Sequence, residues 1–168
     1  MSPLPAPPWR RSAAGLALAA LLAGCAVPEW QKPGTPEADI LRSMGRPTLT
    51  EPLPGGGERL LYSRQPAGPQ VYHMDFDAER RLVSVTQVLT LESFQALRND
   101  VDRRDDVRRM FGPPARVEKV ARFNGDIWTY RILDNGNPRQ AHVHLDPEGV
   151  VRRVMFTDER LNDRDPHR

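Results

Sequence analysis

The feature that most constrains this chain is an internal repeat. Residues 105–156 read as a short helix with an apolar face, a Gly-Pro-Pro stop and four strand-like segments, and residues 39–87 contain a weaker copy in the same order. At a shift of 67 residues the copies share a glycine, a proline and a strand, namely Gly45 and Gly112, Pro47 and Pro114, and 60–64 and 127–131. Matching order along the chain predicts one supersecondary unit built twice.

Apolar periodicity within each copy predicts an α+β fold, with two tandem repeats of short helices packed on one face of an antiparallel sheet. The first repeat covers 36–89, the second covers 90–157, and a polar tail follows at 158–168. The predicted strands are 48–53, 58–64, 70–77 and 82–89 in the first repeat, and 117–123, 126–133, 140–146 and 150–157 in the second.

Local signals predict where these elements begin and end. Threonine or aspartate precedes each helical stretch, so we expect Thr35, Thr90 and Asp102 to be N-caps. Asn124-Gly125 is the strongest hairpin signal and predicts a turn between the fifth and sixth strands. The segments 135–138 and 147–149 predict the next two turns.

The N-terminus reads as a targeting segment followed by a tether. Two arginines precede an apolar run of about eleven residues, too short for a membrane span of ~20 residues. The run closes with Leu-Ala-Gly-Cys at residues 22–25, which resembles the lipobox of bacterial lipoproteins. That resemblance implies a signal peptide at 1–24, acylation of Cys25 and, since Ala26 follows, the outer membrane. An ordinary secretory signal cut nearby is the alternative.

Residues 25–35 are predicted to form a lipidated tether, because Pro28, Pro33 and Gly34 oppose regular structure. Trp30 within it has two interpretations, an anchor at the membrane interface or a side chain packed on the domain edge. Cys25 is the only cysteine, so an acylated chain has no disulfide and no thiolate site.

Charge argues against a nucleic-acid partner. The formal charge is +2, but both charges before Cys25 are arginines, so cleavage leaves 22 basic and 22 acidic residues. A neutral domain does not steer nucleic acid electrostatically. Catalytic motifs are also absent from the sequence, which contains no G-x-S-x-G, H-E-x-x-H or Walker loop. We therefore predict that the protein is not an enzyme and uses no cofactor.

Strand alternation predicts which side chains share a face. Trp128, Tyr130 and Ile132 are expected to pack on the helices. The opposite face is then the candidate partner-contact face, consisting of Tyr62, His73, Asp75, His142 and His144. The spacing of His142 and His144 occurs in some metal sites, but no motif supplies a third ligand, so we predict no metal. A solvated strand face is the simpler interpretation.

Several segments together resemble one family. The lipobox-like sequence, Met-Phe-Gly-Pro-Pro-Ala at 110–115, Asp-Ile-Trp-Thr-Tyr-Arg at 126–131 and His-Val-His-Leu-Asp-Pro-Glu-Gly at 142–149 are similar to the SmpA/OmlA (BamE-like) outer-membrane lipoproteins. The tandem arrangement resembles β-lactamase inhibitory proteins, in which two modules form one concave sheet.

This resemblance implies a non-enzymatic lipoprotein, anchored at the periplasmic face of the outer membrane, that binds envelope proteins. The barrel assembly machinery of the outer membrane is the first expected partner, with support of protein assembly or envelope integrity as the role. The alternative is an inhibitor or ligand-binding module that uses the concave sheet face.

Overall fold

The computed structural model describes residues 27–159, so Cys25, the predicted signal peptide and all but the start of the predicted tail lie outside it. The helices are α1 (Glu37–Met44), α2 (Leu91–Gln95) and α3 (Arg104–Phe111), preceded by one 3₁₀ turn, Pro28–Trp30. The strands are β1 (Leu49–Pro52), β2 (Glu58–Ser63), β3 (Val71–Phe76), β4 (Leu82–Gln87), β5 (Arg116–Val120), β6 (Phe123–Asp134), β7 (Asn137–Leu145) and β8 (Val151–Asp158). Within residues 27–159, no helix has the length and apolarity needed to cross a membrane.

The predicted fold class is wrong. The strands form two separate four-stranded antiparallel sheets, β1-β2-β3-β4 (sheet 1) and β5-β6-β7-β8 (sheet 2), in place of one sheet lined by helices. Strand residues are 45% of the structure and helical residues 18%, so the fold is dominated by its sheets. The single concave face required by the inhibitor alternative is therefore not formed.

Helices and sheets are stacked in layers, with α1 on one side of sheet 1 and α2, α3 and sheet 2 on the other. One face of sheet 1 packs on α1 through the cluster Ile40, Leu60, Met74, Phe76 and Leu82. Its other face shares a second cluster with α2, α3 and sheet 2, which includes Leu61, Val71, Phe94, Val107, Phe111, Trp128, Tyr130 and Ile132. Sheet 1 is thus covered on both faces, whereas sheet 2 has one covered face and one outer face. The predicted burial of Trp128 is confirmed, since only 9% of it is exposed.

Each sheet has one edge closed by the segment that leads into a helix. At β4, Gly34 donates to the carbonyl of Leu82 and Leu82 donates to that of Thr35. At β8, Asp100 donates to the carbonyl of Val151 and Val151 donates to that of Asp102. Covered edges cannot pair with a further strand. At their first residues, β4 and β8 therefore pair with these segments and not with a strand of the other sheet.

The helix caps agree with prediction at one of three positions. Thr90 accepts a hydrogen bond from the Ser93 N–H at 3.1 Å, as predicted for α2. Thr35 is one residue too early for α1, which begins after Pro36. Asp102 does not cap α3, because its carboxylate accepts from the N–H and guanidinium of Arg98.

The predicted hairpin at Asn124-Gly125 is also wrong. β5 pairs with β6 through Val120 opposite Phe123, so the turn lies at residues 121–122 and Gly125 lies within β6. A Cβ atom on Gly125 would lie 2.1 Å from the carbonyl oxygen of Leu145 on β7. The glycine is required by this close approach of two backbones, and not by a turn. The turn predicted at 135–138 is confirmed by the β6–β7 hairpin.

The structure contains the predicted repeat, but β2 matches β6 at a shift of 68 residues and not at the predicted 67. Tyr62 donates from Oη to the Gly45 carbonyl at 2.9 Å, and Tyr130 makes the same bond to Gly112 at 2.9 Å. Tyr62 therefore corresponds to Tyr130 and not to Thr129. A slip of one residue transfers every side chain of a strand to the opposite face.

Candidate functional site

Among residues 27–159, one face of sheet 2 packs against no helix and no other sheet; this face is the candidate site, and we call it the outer face. Its members follow from the strand register, which pairs Thr129 with Arg116 and His142, and His144 with Arg153. Several of its side chains are exposed, and Met155 is 44% exposed. The outer face consists of Arg116, Glu118, Ile127, Thr129, His142, His144, Arg153, Met155 and Thr157.

A row of hydrogen bonds crosses all four strands of the outer face. Thr129 donates from its hydroxyl to Glu118 at 3.3 Å and lies 2.9 Å from Nδ1 of His142. Nε2 of His142 lies 2.8 Å from the hydroxyl of Thr157. Both ring nitrogens therefore have partners, and a threonine hydroxyl can donate or accept according to the imidazole tautomer. The row holds His142 in one orientation.

Burial sets the charge state of His142. It lowers the pKa of the imidazole, and the positive charge of Arg116 acts in the same direction, whereas Glu118 opposes it. A depressed pKa keeps His142 neutral near pH 7. The row is thus a set of neutral hydrogen bonds ending at one carboxylate.

His144 lies on the same face but is almost fully buried, with 4% exposed. The ring of Phe123 meets the imidazole edge-on, with centroids 4.9 Å apart. Burial lowers the pKa of His144, and the charge of Arg153 lowers it further. Its Nδ1 has no hydrogen-bond partner among residues 27–159. His144 is therefore neutral near pH 7 and contributes little accessible surface to the outer face.

The other predicted residues of the partner-contact face are elsewhere. His73 and Asp75 lie on the face of sheet 1 that α3 covers, with His73 beside the backbone of Met110. Asp75 accepts two hydrogen bonds from Arg59, at 2.6 and 2.7 Å. Burial and the charge of Arg59 lower the pKa of His73 to about 4. His73 is therefore buried beside α3, whereas Asp75 on the same face is partly exposed.

Tyr62 lies on the opposite face of sheet 1, against α1. Its hydroxyl bonds to Gly45, and burial raises its pKa to about 12. Of the five residues predicted to share one surface, His142 and His144 lie on the outer face, His73 and Asp75 share the α3 side of sheet 1, and Tyr62 lies on the α1 side. The prediction assumed that both repeats share one sheet. It also aligned Tyr62 with Thr129, whereas the structure aligns Tyr62 with Tyr130.

The row does not have the geometry of a catalytic triad. In a triad the carboxylate orients the imidazole directly. Here Glu118 contacts Thr129, and Thr129 contacts the imidazole. Among residues 27–159, His, Asp, Glu and Cys form no group of three or more that could hold a metal ion. The arrangement offers hydrogen-bonding groups and apolar side chains on a stiff surface.

Sequence reasoning missed Glu118, Thr129 and Thr157 as members of the row. Alternation from Trp128 does place Thr129 on the outer face, so this signal was available. Thr157 reaches His142 diagonally from β8, where the pairing includes a register shift near His144. That neighbour depends on the register of two strands and not on any local pattern.

Comparisons with known proteins place the chain in no family. No family model matches it, and no curated protein is similar to it. A DUF4309 family protein, YjgB from Bacillus subtilis subsp. subtilis str. 168, is similar in structure with a TM-score of 0.29 and 15% identity, over 74% of this chain and 79% of that one. An extracellular protein containing a SCP domain from Bacillus anthracis str. Ames gives a TM-score of 0.28 and 16% identity, over 77% and 50%. Likenesses this weak bear on neither fold nor function.

Proposed function

We propose that this chain is a non-enzymatic lipoprotein, anchored through Cys25 at the periplasmic face of the outer membrane, that binds an envelope protein through its outer face. The observation that carries the proposal is the Leu-Ala-Gly-Cys sequence after an apolar run. Acylation adds ~0.8 kcal/mol of membrane affinity per buried methylene, so several chains give a stable anchor.

The outer face supports the binding half of the proposal. β5, β6, β7 and β8 contain 5, 12, 9 and 8 residues, and at ~3.4 Å per residue and ~4.8 Å between strands they cover roughly 550 Å² in projection. A standard interface buries ~800 Å² per partner, so this face supplies the larger part of one. The surface combines the exposed Met155 with a histidine already held by two hydrogen bonds. Side chains ordered before binding lose less entropy on association.

Membrane fractionation tests the anchor. The full chain should sediment with the outer membrane, and Cys25→Ser should leave it in the soluble periplasm. Equal partition of the two proteins would eliminate the lipoprotein proposal.

Site-specific photo-crosslinking in intact cells tests the binding surface. A photoreactive residue at Met155 should trap an envelope protein, with the barrel assembly machinery examined first. The matched control is Val83 on sheet 1, which is 55% exposed but lies outside the outer face. Identical products from both positions, or none from Met155, would contradict the proposal. So would turnover of a substrate that is lost in Thr157→Val.

A further inference from the structure

The 3₁₀ turn before α1 presents a tryptophan to solvent, with 75% of Trp30 exposed. Because Trp30 lies five positions after Cys25, we propose that its indole inserts into the phospholipid headgroup region and fixes the orientation of the domain relative to the membrane. This inference rests on the proposed lipid anchor and goes beyond it. It also decides between the two interpretations of Trp30, since a side chain packed on the domain edge would be buried.

The turn that carries Trp30 is bound to the domain and is not a free tether. Pro28 is buried, and the N–H groups of Trp30 and Gln31 donate to the carbonyls of Val27 and Pro28, each at 3.1 Å. The carboxylate of Glu29 accepts a hydrogen bond from the Tyr72 hydroxyl on β3. The turn is therefore held at a defined place on sheet 1, and the indole that it carries is exposed.

The reach of the chain places this turn at the membrane. Three peptide units join the Cα of Cys25 to that of Pro28, and they span at most ~11 Å when fully extended. Five peptide units join Cys25 to Trp30, and these span at most ~18 Å. The headgroup region is roughly 5–8 Å thick on each side of the hydrocarbon core. Acyl chains on Cys25 would hold the indole within reach of this layer.

The chemistry of the surroundings fits a phospholipid surface. Tryptophan is enriched at membrane–water interfaces, where its ring is in an apolar setting and its N–H reaches water. Two exposed cations accompany it, Lys32 and Arg64. The guanidinium of Arg64 lies 5.9 Å from the centre of the Tyr72 ring, on the strand that binds the turn. Cations beside an inserted ring attract headgroup phosphates.

Fluorescence of the acylated protein in vesicles tests the inference. After removal of residues 1–24, Trp30 and Trp128 are the only tryptophans, so Trp128→Phe isolates the signal of Trp30. In phosphatidylethanolamine–phosphatidylglycerol vesicles, Trp30 emission should shift to the blue, be quenched by lipids brominated near the headgroup and resist aqueous acrylamide. If Trp128→Phe does not fold, the difference between wild type and Trp30→Phe supplies the same signal.

The control is a tryptophan at another exposed position, on sheet 2. Val117 is 54% exposed, and Val117→Trp in a Trp30→Phe/Trp128→Phe chain should remain open to acrylamide. Acrylamide quenching of Trp30 equal to that of the control would overturn the inference. A wild-type chain absent from the membrane fraction would instead show that the lipid anchor itself has failed, which separates the two outcomes.

Discussion

The side-chain amide of Gln65 hydrogen-bonds to the backbone of Arg131 as a neighbouring strand would. It donates from Nε2 to the Arg131 carbonyl at 2.8 Å and accepts from the Arg131 N–H at 3.2 Å. β5 pairs with β6 only as far as Thr129, opposite Arg116, so beyond this point Gln65 takes the place of a partner strand. The guanidinium of Arg131 also donates to the carbonyl of Pro66 at 2.9 Å. One loop of the first repeat is thereby attached to a central strand of the second.

Removing this amide should weaken the whole domain. Gln65→Ala leaves a part-buried backbone N–H and C=O without partners, so the free energy of unfolding should fall by about 1–3 kcal/mol. Urea denaturation of the mature domain measures it. Gln95→Ala, at an exposed position of α2, is the control and should change stability by less than about 0.5 kcal/mol. Equal effects would mean that the Gln65 bonds contribute nothing.

The two equivalent tyrosines should differ in the cost of losing their hydroxyls. Tyr130→Phe removes the hydroxyl that donates to the Gly112 carbonyl in a fully buried setting, and should cost about 1–2 kcal/mol. Tyr62→Phe removes the matching bond to Gly45, where water can replace it, and should cost less. Thermal or urea unfolding of the two variants compares them directly. A larger loss for Tyr62→Phe would contradict this account of burial.

His73 should make stability depend on pH in a defined window. Its folded pKa is lowered to about 4, whereas an unfolded histidine titrates near 6.5. Between these values the unfolded state binds more protons, so stability is complete above pH 6.5 and falls as the pH drops toward 4. The shift corresponds to a loss of roughly 3 kcal/mol.

Urea unfolding between pH 4 and 7.5 measures this dependence. His142 and His144 also have lowered pKa values and act in the same direction, so the wild-type slope includes their share. The difference between wild type and His73→Leu isolates the contribution of His73. Parallel profiles for the two proteins would show that the folded pKa of His73 is not depressed.

Gly125 should tolerate no side chain. Its Cβ would overlap the Leu145 carbonyl oxygen, so Gly125→Ala should cost more than about 3 kcal/mol or prevent folding. Gly57 faces the same conflict with the carbonyl of Phe76, also at 2.1 Å, and should behave alike. Gly45→Ala is the control, because open space surrounds its Cβ position and only its backbone conformation, with φ of 80° and ψ of −163°, opposes alanine, at about 1–3 kcal/mol. Circular dichroism and urea unfolding of the three variants test the order.

What the sequence alone determined was local. The 135–138 turn formed because Asn135 and Gly136 accept positive φ, which this hairpin requires. α2 began after Thr90 because a threonine hydroxyl satisfies an N–H of the first helical turn. The inward position of Trp128 followed from alternation and size. Each of these outcomes depends on a few neighbouring residues, so pattern was sufficient to predict it.

The tertiary structure decided everything that depends on distant partners. Asn124-Gly125 had the chemistry of a turn, but pairing of β6 with β7 put the glycine where two backbones meet. His73 aligned with His142 in the repeat, yet α3 covers only the first of them. The eight strands expected in one sheet form two sheets of four. Periodicity shows which side chains share a face, but what covers that face depends on how layers pack, and packing energy is not encoded in any short segment.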